Sequence, residues 1–179
     1  AQHVYVGGIN GVVRWWNGTT WTLLDTGEIT RIYSIIARAP NDIYASGQDM
    51  FRHYDGATWQ DLAPPGTHGS FRSVAVVAPN DIWLFGRLSD STFRQHYDGV
   101  SWSAPVPVDG VHRRTVGFGN NQLLSVRRYG GAAVFTDGAW SELRMPVNEA
   151  MSEVFDVVQV DGNAWLLASG FEASVLRHR

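Results

Sequence analysis

The chain has 179 residues, of which 44% are hydrophobic and 17% charged; this is the composition of one folded domain and excludes a disordered chain. Its formal net charge of −3 argues against nucleic-acid binding, and the absence of cysteine excludes disulfides, thiolate nucleophiles and Cys-ligated zinc. No run of about 18 apolar residues is present, so we expect no membrane span, and no signal peptide is visible at Ala1.

In chain order, the first strong pattern is a short motif that recurs every 38 to 43 residues. Arg14–Trp21 reads RWWNGTTW, and it returns as Arg52–Trp59, as Gln95–Trp102 and, more loosely, as Phe135–Trp140. A second block precedes it, since Ala39–Gly47 (APNDIYASG) is repeated at 78–86 as APNDIWLFG. Such a period indicates a repeat architecture.

Each period contains four runs of strand length and no sustained helical periodicity. In the clearest copy the strands are predicted at Ser34–Arg38, Asp42–Ser46, Met50–Tyr54 and Thr58–Leu62. Four hairpin-connected strands in about 40 residues are typical of one blade of a β-propeller.

We therefore predict an all-β fold, a β-propeller of about five blades with three to four antiparallel strands each, in a single domain over residues 1–179. The predicted blade units are about 1–25, 30–65, 70–107, 112–146 and 153–179. The first unit reads as the second to fourth strands of a blade, at Val4–Gly7, Val12–Trp16 and Thr20–Leu24. The last unit reads as the first three, at Val154–Val160, Ala164–Ala168 and Ser174–Arg177.

The turn between the third and fourth strands carries Asn-Gly or Asp-Gly. This dipeptide supplies the two residues of positive φ that a type I′ hairpin turn requires. We therefore predict type I′ turns at Asn17-Gly18, Asp55-Gly56, Asp98-Gly99 and Asp137-Gly138, with positive φ at Gly56 and Gly99.

The incomplete terminal units lead to a prediction about closure. Because each blade face is apolar and needs a neighbour, we expect residues 1–25 to pack beside residues 153–179 and close the ring. The outer strand absent from the last unit would leave an open edge through which another chain could associate. A fragment of a larger propeller is the alternative.

The paired blocks, Ala-Pro-Asn-Asp-Ile-Tyr/Trp and His-Tyr-Asp-Gly-x-Thr/Ser-Trp, resemble tandem-repeat propellers of secreted and surface proteins of myxobacteria and related bacteria. A weaker similarity runs to propeller lectins of the tachylectin and Photorhabdus-lectin kind. The turn is also similar to the Asp-box of sialidases, but Asp55 and Gly56 are adjacent here and no Ser stands two residues before the Asp. The resemblance implies a propeller and export, and no settled activity.

An aromatic residue recurs two positions before the turn glycine, where the turn itself does not require one. Aromatic rings beside hydrogen-bond donors can hold a sugar, because a pyranose face stacks on the ring while polar groups bind its hydroxyls. The alternative is strand packing of these rings, and the recurrence of the His pair also favours a structural role. Thr136 stands at this position in the fourth unit. The candidate ligand-binding residues are Trp16, Arg14, Tyr54, Arg52, His53, Tyr97 and His96.

The four turn tryptophans, Trp21, Trp59, Trp102 and Trp140, are predicted to pack between blades, since a repeat needs such an anchor in every unit. The arginine pairs at 113–114 and 127–128 are candidates for binding an anionic glycan, with solvated strand positions as the alternative.

Nothing in the sequence marks a catalytic or metal site. The six histidines show no metal-ligand spacing, and no nucleophile elbow or phosphate-binding glycine loop is present. Isolated carboxylates could form a glycosidase pair, but their separation cannot be read from sequence. We therefore expect no catalytic residues, no metal and no cofactor.

These observations lead to three functional hypotheses. The first is a secreted or cell-surface, non-enzymatic recognition module that binds carbohydrate through repeated sites between blades and gains avidity from them. The alternative is a protein-interaction or structural subunit of an extracellular or envelope assembly, and the third hypothesis is a glycoside-processing enzyme. The expected partner is a glycan or a surface protein.

Overall fold

A computed structural model describes residues 3–119, 122–128, 131–143, 151–160, 163–170 and 174–178. Within these residues the strands form five antiparallel sheets, each made of strands that follow one another in the chain. The all-β prediction is confirmed.

The strands are grouped as follows. The first sheet contains β1 (Val4–Gly7), β2 (Val12–Trp16) and β3 (Trp21–Asp25). The second contains β4 (Ile32–Ala39), β5 (Asp42–Gly47), β6 (Met50–Tyr54) and β7 (Trp59–Asp61). The third contains β8 (Ser70–Ala78), β9 (Asp81–Leu88), β10 (Ser91–Tyr97) and β11 (Val106–Pro107). The fourth contains β12 (His112–Gly119), β13 (Gln122–Arg127), β14 (Ala132–Thr136) and β15 (Ala139–Leu143). The fifth contains β16 (Met151–Val160), β17 (Asn163–Gly170) and β18 (Ser174–His178).

Sequence and structure agree closely on where the strands lie. β1, β2 and β6 have the predicted bounds, and the first and fifth sheets have three strands each within the described residues. The first strand of the second sheet is longer than predicted, from Ile32 to Ala39, and it carries two irregularities in its pairing with β5. Such irregularities break the strict alternation on which the sequence reading depends.

The two faces of a sheet have different roles. We call front the face that carries the aromatic residue at or near the end of the last-but-one strand of a sheet, and back the opposite face. Side chains alternate between them along each strand. Trp16, Tyr54, Tyr97 and Phe135 define the front faces of the first four sheets.

The chain forms two compact units, Ala1–Arg72 with Gly86–Ser91, and Ser73–Phe85 with Thr92–Arg179. In the first unit, the back face of the first sheet packs on the front face of the second. Val13 contacts the cluster of Ile32, Ala45 and Met50, with Leu24, Ile35 and Trp59 around it.

The second unit repeats this arrangement twice. Trp83 and Phe85 from the back of the third sheet pack with Leu123 and Phe135 from the front of the fourth. The back of the fourth sheet then packs on Val157 of the fifth. Within each unit, a back face therefore covers the front face of the next sheet in the chain, as the apolar faces of packed layers require.

Three of the turns between the last two strands of a sheet differ from the prediction. Gly18, Gly56 and Gly99 have φ of 100°, 101° and 95°, which confirms positive φ at Gly56 and Gly99. The type I′ assignment is wrong for these three turns, because the preceding Asn or Asp does not have positive φ in any of them.

The side chain of the turn Asp explains the difference. Asp55 Oδ1 accepts hydrogen bonds from the backbone N–H of Ala57 at 2.9 Å and of Thr58 at 2.8 Å. These bonds hold a four-residue loop closed by an Asx turn, which competes with the two-residue hairpin. A two-residue turn with positive φ at both positions does form at Asp137-Gly138, with φ of 54° and 83°.

These glycines are also required by packing. A Cβ added to Gly56 would lie 2.7 Å from the Cβ of Asn41, and one added to Gly99 would lie 2.6 Å from that of Asn80. The glycine of one sequence block therefore packs on the Asn of the other, which explains why the two blocks recur together.

The closure prediction concerns side chains of residues 153–179 that lie largely outside the described part of the chain. Closure, the open edge strand and the single-domain organisation stay predictions.

Candidate binding sites

The aromatic residue at the front of each sheet pairs across the hairpin with the turn tryptophan. The two rings are five residues apart in sequence in all four described hairpins. The pairs and their centroid distances are Trp16–Trp21 at 5.5 Å, Tyr54–Trp59 at 5.2 Å, Tyr97–Trp102 at 5.3 Å and Phe135–Trp140 at 5.2 Å. We call these the closing pairs. Phe135, and not Thr136, therefore holds the aromatic position of the fourth sheet, because its turn glycine comes one residue later.

Two of the closing pairs are bound into their own hairpins. Tyr54 Oη donates to the carbonyl of Gly56 at 2.8 Å, and Tyr97 Oη donates to that of Gly99 at 3.0 Å. Trp59 also packs against the core of the first unit, as predicted for a turn tryptophan. Trp21 differs, since 48% of it is exposed.

The structure separates the polar residues that the sequence grouped with these rings. Arg52 shares the front face with Tyr54, whereas His53 lies on the back face. The Arg52 guanidinium donates to the carbonyl oxygen of Thr26 at 2.7 Å and to Glu28 Oε1 at 2.5 Å. It thereby ties the second sheet to the segment that follows the first.

His53 and His96 each complete a stack on a back face. His53 Nε2 lies 2.8 Å from Asp42 Oδ1 and its ring is 4.4 Å from that of Tyr44. Burial, followed by the charge of Asp42, raises the pKa of Tyr44 to about 12. His96 repeats the arrangement with Asp81 at 2.9 Å and Trp83 at 4.2 Å. These contacts are those of a structural cluster, which the recurrence of the histidines had indicated.

The front face of the first sheet is exposed, unlike that of the second. Its apolar residues retain a large solvent-exposed fraction: Val4 41%, Val6 51%, Trp21 48% and Leu23 49%. The residues at the matching positions of β5, Ile43 and Ala45, are both 0% exposed. Arg14 lies among the exposed side chains, at the position that Arg52 holds in the second sheet.

The position two residues before the closing aromatic changes from sheet to sheet. It holds Arg14, Arg52, Gln95 and Ala133 in the first to fourth sheets. Arg52 reaches the preceding linker, and Gln95 donates to the carbonyl of Ser103 at 2.9 Å. At Ala133 the side chain is only a methyl group, so the space that a longer side chain would fill stays open.

A cavity of about 150 Å³ lies at Ala133. Its walls include Trp140, His112, Arg127, Asp109 and Glu142. Arg127 forms an ion pair with Glu142. Two buried donors on these walls, Arg127 Nε and Trp140 Nε1, have no hydrogen-bond partner.

His112 forms the buried end of this cavity. Its Nδ1 lies 2.6 Å from Ser125 Oγ, which is 2.9 Å from Thr115 Oγ1. Its ring stacks on Phe85 with centroids 4.6 Å apart. Burial, and then the charge of Arg127, lower the pKa of His112 to about 4, so the imidazole is neutral at physiological pH.

Other predicted groups are placed as follows. Arg127 is held by Glu142, and Arg114 Nε lies 3.9 Å from Asp156 Oδ1. Among the described residues, no group of three His, Asp or Glu side chains is placed to hold a metal ion. In that same part of the chain, no helix has the length and apolar character needed to cross a membrane.

No family model matches the sequence, and no curated protein matches it. Solved structures do. The extracellular domain of the one-component system BT4673 from B. thetaiotaomicron aligns with a TM-score of 0.64 and 16% identity over 99% of this chain and 26% of that one. YCF48 from Cyanidioschyzon merolae aligns with a TM-score of 0.65 and 12% identity, over 99% of this chain and 66% of that one. The nidogen/laminin complex contains a chain that aligns with a TM-score of 0.63 and 14% identity, over 93% of this chain and 73% of that one.

These neighbours are β-propellers, and the present chain has the β-propeller fold. It spans about a quarter of the BT4673 domain and about two thirds of YCF48. At this identity the likeness concerns the fold alone, and one fold hosts many functions. A virginiamycin B lyase from Staphylococcus aureus also aligns, with a TM-score of 0.59 and 9% identity over 94% of this chain and 63% of that one. The resemblance to myxobacterial and tachylectin-like propellers stays a prediction.

Proposed function

We propose that this chain is a non-enzymatic, extracellular recognition module of five blades, and that it binds a protein partner through the front face of its first sheet. This role and the predicted closure of the ring by residues 153–179 exclude each other, because closure would cover that face. The exposure of that face is the observation that carries the proposal. A contiguous apolar face with about half of each side chain in solvent is a typical interaction surface. The same face in the second sheet is covered by another sheet.

The second sheet indicates what the partner must offer. Its front face is covered by an apolar β-sheet, and Arg52 is bound by the carbonyl of Thr26 and the carboxylate of Glu28 in the segment that follows. Arg14 occupies the equivalent position on the exposed face. The partner is therefore a β-sheet with apolar residues on one face and an adjacent acidic residue that pairs with Arg14.

Two of the structural neighbours are consistent with this role. One is an extracellular domain, and another was solved as a complex of nidogen with laminin. The lyase is an enzyme on the same fold. Against catalysis here, Glu28 and Glu142 are both engaged by arginine, so neither is poised as a free acid or base.

Leu23→Glu is expected to abolish partner binding without unfolding the chain. Leu23 is half exposed, so a charge there costs little in the free protein but would be buried against the apolar face of the partner. A photoreactive side chain at position 23 should cross-link, in extracellular medium, to a strand that carries alternating apolar residues and a nearby Asp or Glu. The melting temperature of Leu23→Glu should stay within about 2 °C of the native value.

Val100→Glu is the matched control, because Val100 is 89% exposed and lies in a hairpin loop of the third sheet. It should bind the partner as the native chain does. Equal cross-linking from positions 23 and 100, or an unchanged complex with Leu23→Glu, would contradict the proposal.

Carbohydrate binding is the second candidate, favoured by the Trp16–Trp21 closing pair, whose Trp21 is half exposed, and by the exposed Arg14 on the same face. If the closing pairs bind sugars as repeated sites, Tyr54→Ala and Tyr97→Ala should each remove one site per chain while the fold is retained. Calorimetric titration with a monosaccharide panel measures this stoichiometry. Unchanged stoichiometry with a lowered melting temperature would show that these rings serve packing alone.

A further inference from the structure

We propose that the cavity at Ala133 is a binding site for one neutral sugar ring, such as the terminal residue of a glycan. The site belongs to the fourth sheet and is separate from the exposed face of the first. It shares its ligand class with the carbohydrate hypothesis for the closing pairs, and it shares Trp140 with the fourth of these pairs, but its other walls belong to no closing pair.

The cavity arises from a single departure from the repeat. Arg, Arg and Gln occupy the position two residues before the closing aromatic in the first three sheets, and Ala133 occupies it in the fourth. Arg52 extends to the preceding linker, and Gln95 extends to the carbonyl of Ser103 in the segment before β11. Alanine forms no such bond, and about 150 Å³ is left open beside it.

Two wall residues carry a buried N–H group without a hydrogen-bond partner. Buried N–H groups are nearly always paired, and Arg127 Nε and Trp140 Nε1 are exceptions, as is Trp59 Nε1 in the second sheet. A bound ligand whose oxygen atoms reach Arg127 or Trp140 would supply an acceptor. A cation would meet these N–H donors unfavourably.

The charges of the cavity exclude an anionic ligand. Arg127 is neutralised by its pairing with Glu142, and Asp109 adds a further negative charge at the exposed rim. His112 contributes no positive charge, because burial keeps it neutral. The two carboxylates accept hydrogen bonds, so the ligand must donate as well as accept, which is the property of a hydroxyl group.

Size and shape restrict the ligand further. The cavity is smaller than the roughly 300–1,000 Å³ of a typical drug-sized pocket, so it holds one ring and not a chain of them. The indole of Trp140 forms one wall, and an aromatic ring accepts the apolar C–H face of a pyranose. A neutral monosaccharide combines such a face with hydroxyls in the required positions.

The test uses the full chain and a panel of neutral methyl glycosides, with a sugar acid and a linear polyol for comparison. Binding is followed by saturation-transfer NMR and by the change in tryptophan fluorescence, at up to about 10 mM ligand because a single shallow site is expected to bind in the millimolar range. We expect at least one neutral glycoside to bind, and the acid and the polyol not to.

Ala133→Gln places in the cavity the residue that the third sheet has at the same position. It should weaken glycoside binding at least tenfold. Ala57→Gln, the same change at an exposed hairpin position, should leave binding unchanged. Asp109→Asn, an isosteric change on the exposed rim, should weaken binding severalfold and gives a second measurement should Ala133→Gln not fold.

Two results would overturn the site. One is that no neutral glycoside binds, and the other is that a glycoside binds equally well to native chain, Ala133→Gln and Asp109→Asn. Binding that survives in these variants but is lost in Tyr54→Ala and Tyr97→Ala would place the sugar at the closing pairs. The Leu23→Glu variant should bind the glycoside as the native chain does. The sugar site is therefore tested independently of the protein-docking proposal.

Discussion

Replacing Trp83 by alanine is expected to destabilise the chain by roughly 3–5 kcal/mol, as large deletions of buried aromatic side chains do. Trp83 is only 4% exposed and packs with Phe85, Leu123 and Phe135 between the third and fourth sheets. Its Nε1 donates to Asp81 Oδ1 at 3.0 Å, and the ring stacks on His96. The substitution removes this packing and leaves a cavity between two sheets.

Urea denaturation of native and variant chains measures the effect. Trp21→Ala is the control, because it deletes the same side chain from an exposed position and should cost much less. A cost below about 1 kcal/mol for Trp83→Ala would show that the sheets of the second unit do not depend on this contact.

Acidification from about pH 6.5 to about pH 4 is expected to destabilise the chain by about 3 kcal/mol through His112 alone. Burial holds the pKa of His112 at about 4 in the folded state, below the ordinary 6.5. Between these values the unfolded chain binds a proton at this residue and the folded chain does not. Stability is therefore fully present above the unfolded pKa and falls as the pH falls through this window.

Denaturation curves across this pH range, with His112→Gln for comparison, test the assignment. The variant has no group to titrate at this position, so its stability should vary less between pH 6.5 and pH 4. Asp55 and Asp98 affect stability only at lower pH, because backbone N–H donors lower the pKa of each carboxyl group below the ordinary 3.8. An NMR titration that placed the pKa of His112 near its ordinary value would contradict the prediction.

Much of the fold could be read from the repeat. The two sequence blocks marked the strands, and β2 and β6 have the bounds that the pattern predicted. The binding residues stay a hypothesis, and strand alternation shows which of them can act together. Arg52, His53 and Tyr54 are adjacent in sequence and look like one constellation, but neighbours in a strand point to opposite faces. Only Arg52 and Tyr54 share a face, and Arg52 is occupied by Glu28 from a distant segment.

The turn tryptophans show that burial is harder to predict from the repeat than strand position is. Recurrence at the turn favoured Trp21 as a packing residue, yet it is half exposed, because the burial of a repeat position depends on whether a neighbouring sheet covers it. The most buried tryptophan described is Trp83, within the other block. The exposed first sheet follows from three-dimensional packing, which the local pattern does not contain.

The cavity at Ala133 left a signal that could have been found. Alignment on the five-residue spacing of the closing pairs shows Arg, Arg, Gln and Ala at one position. Alignment on the turn glycine hides it, because the glycine of the fourth sheet is displaced by one residue. That His112 and Arg127 border the space could not be read from sequence, since they come from other strands.

The constant spacing of the closing pairs has a consequence for protein engineering. Four residues separate the two rings in both the second and the fourth sheets, and the ring distance is 5.2 Å in each, although one loop is held by an Asx turn and the other is a two-residue hairpin turn. The aromatic pair therefore fixes the register of the hairpin, and the four residues beyond it form an exchangeable segment where nothing packs on the turn glycine, as at Gly18 and Gly138. Foreign peptides, or new chain termini made by circular permutation, can be accommodated at these tips while the pair keeps the strand register.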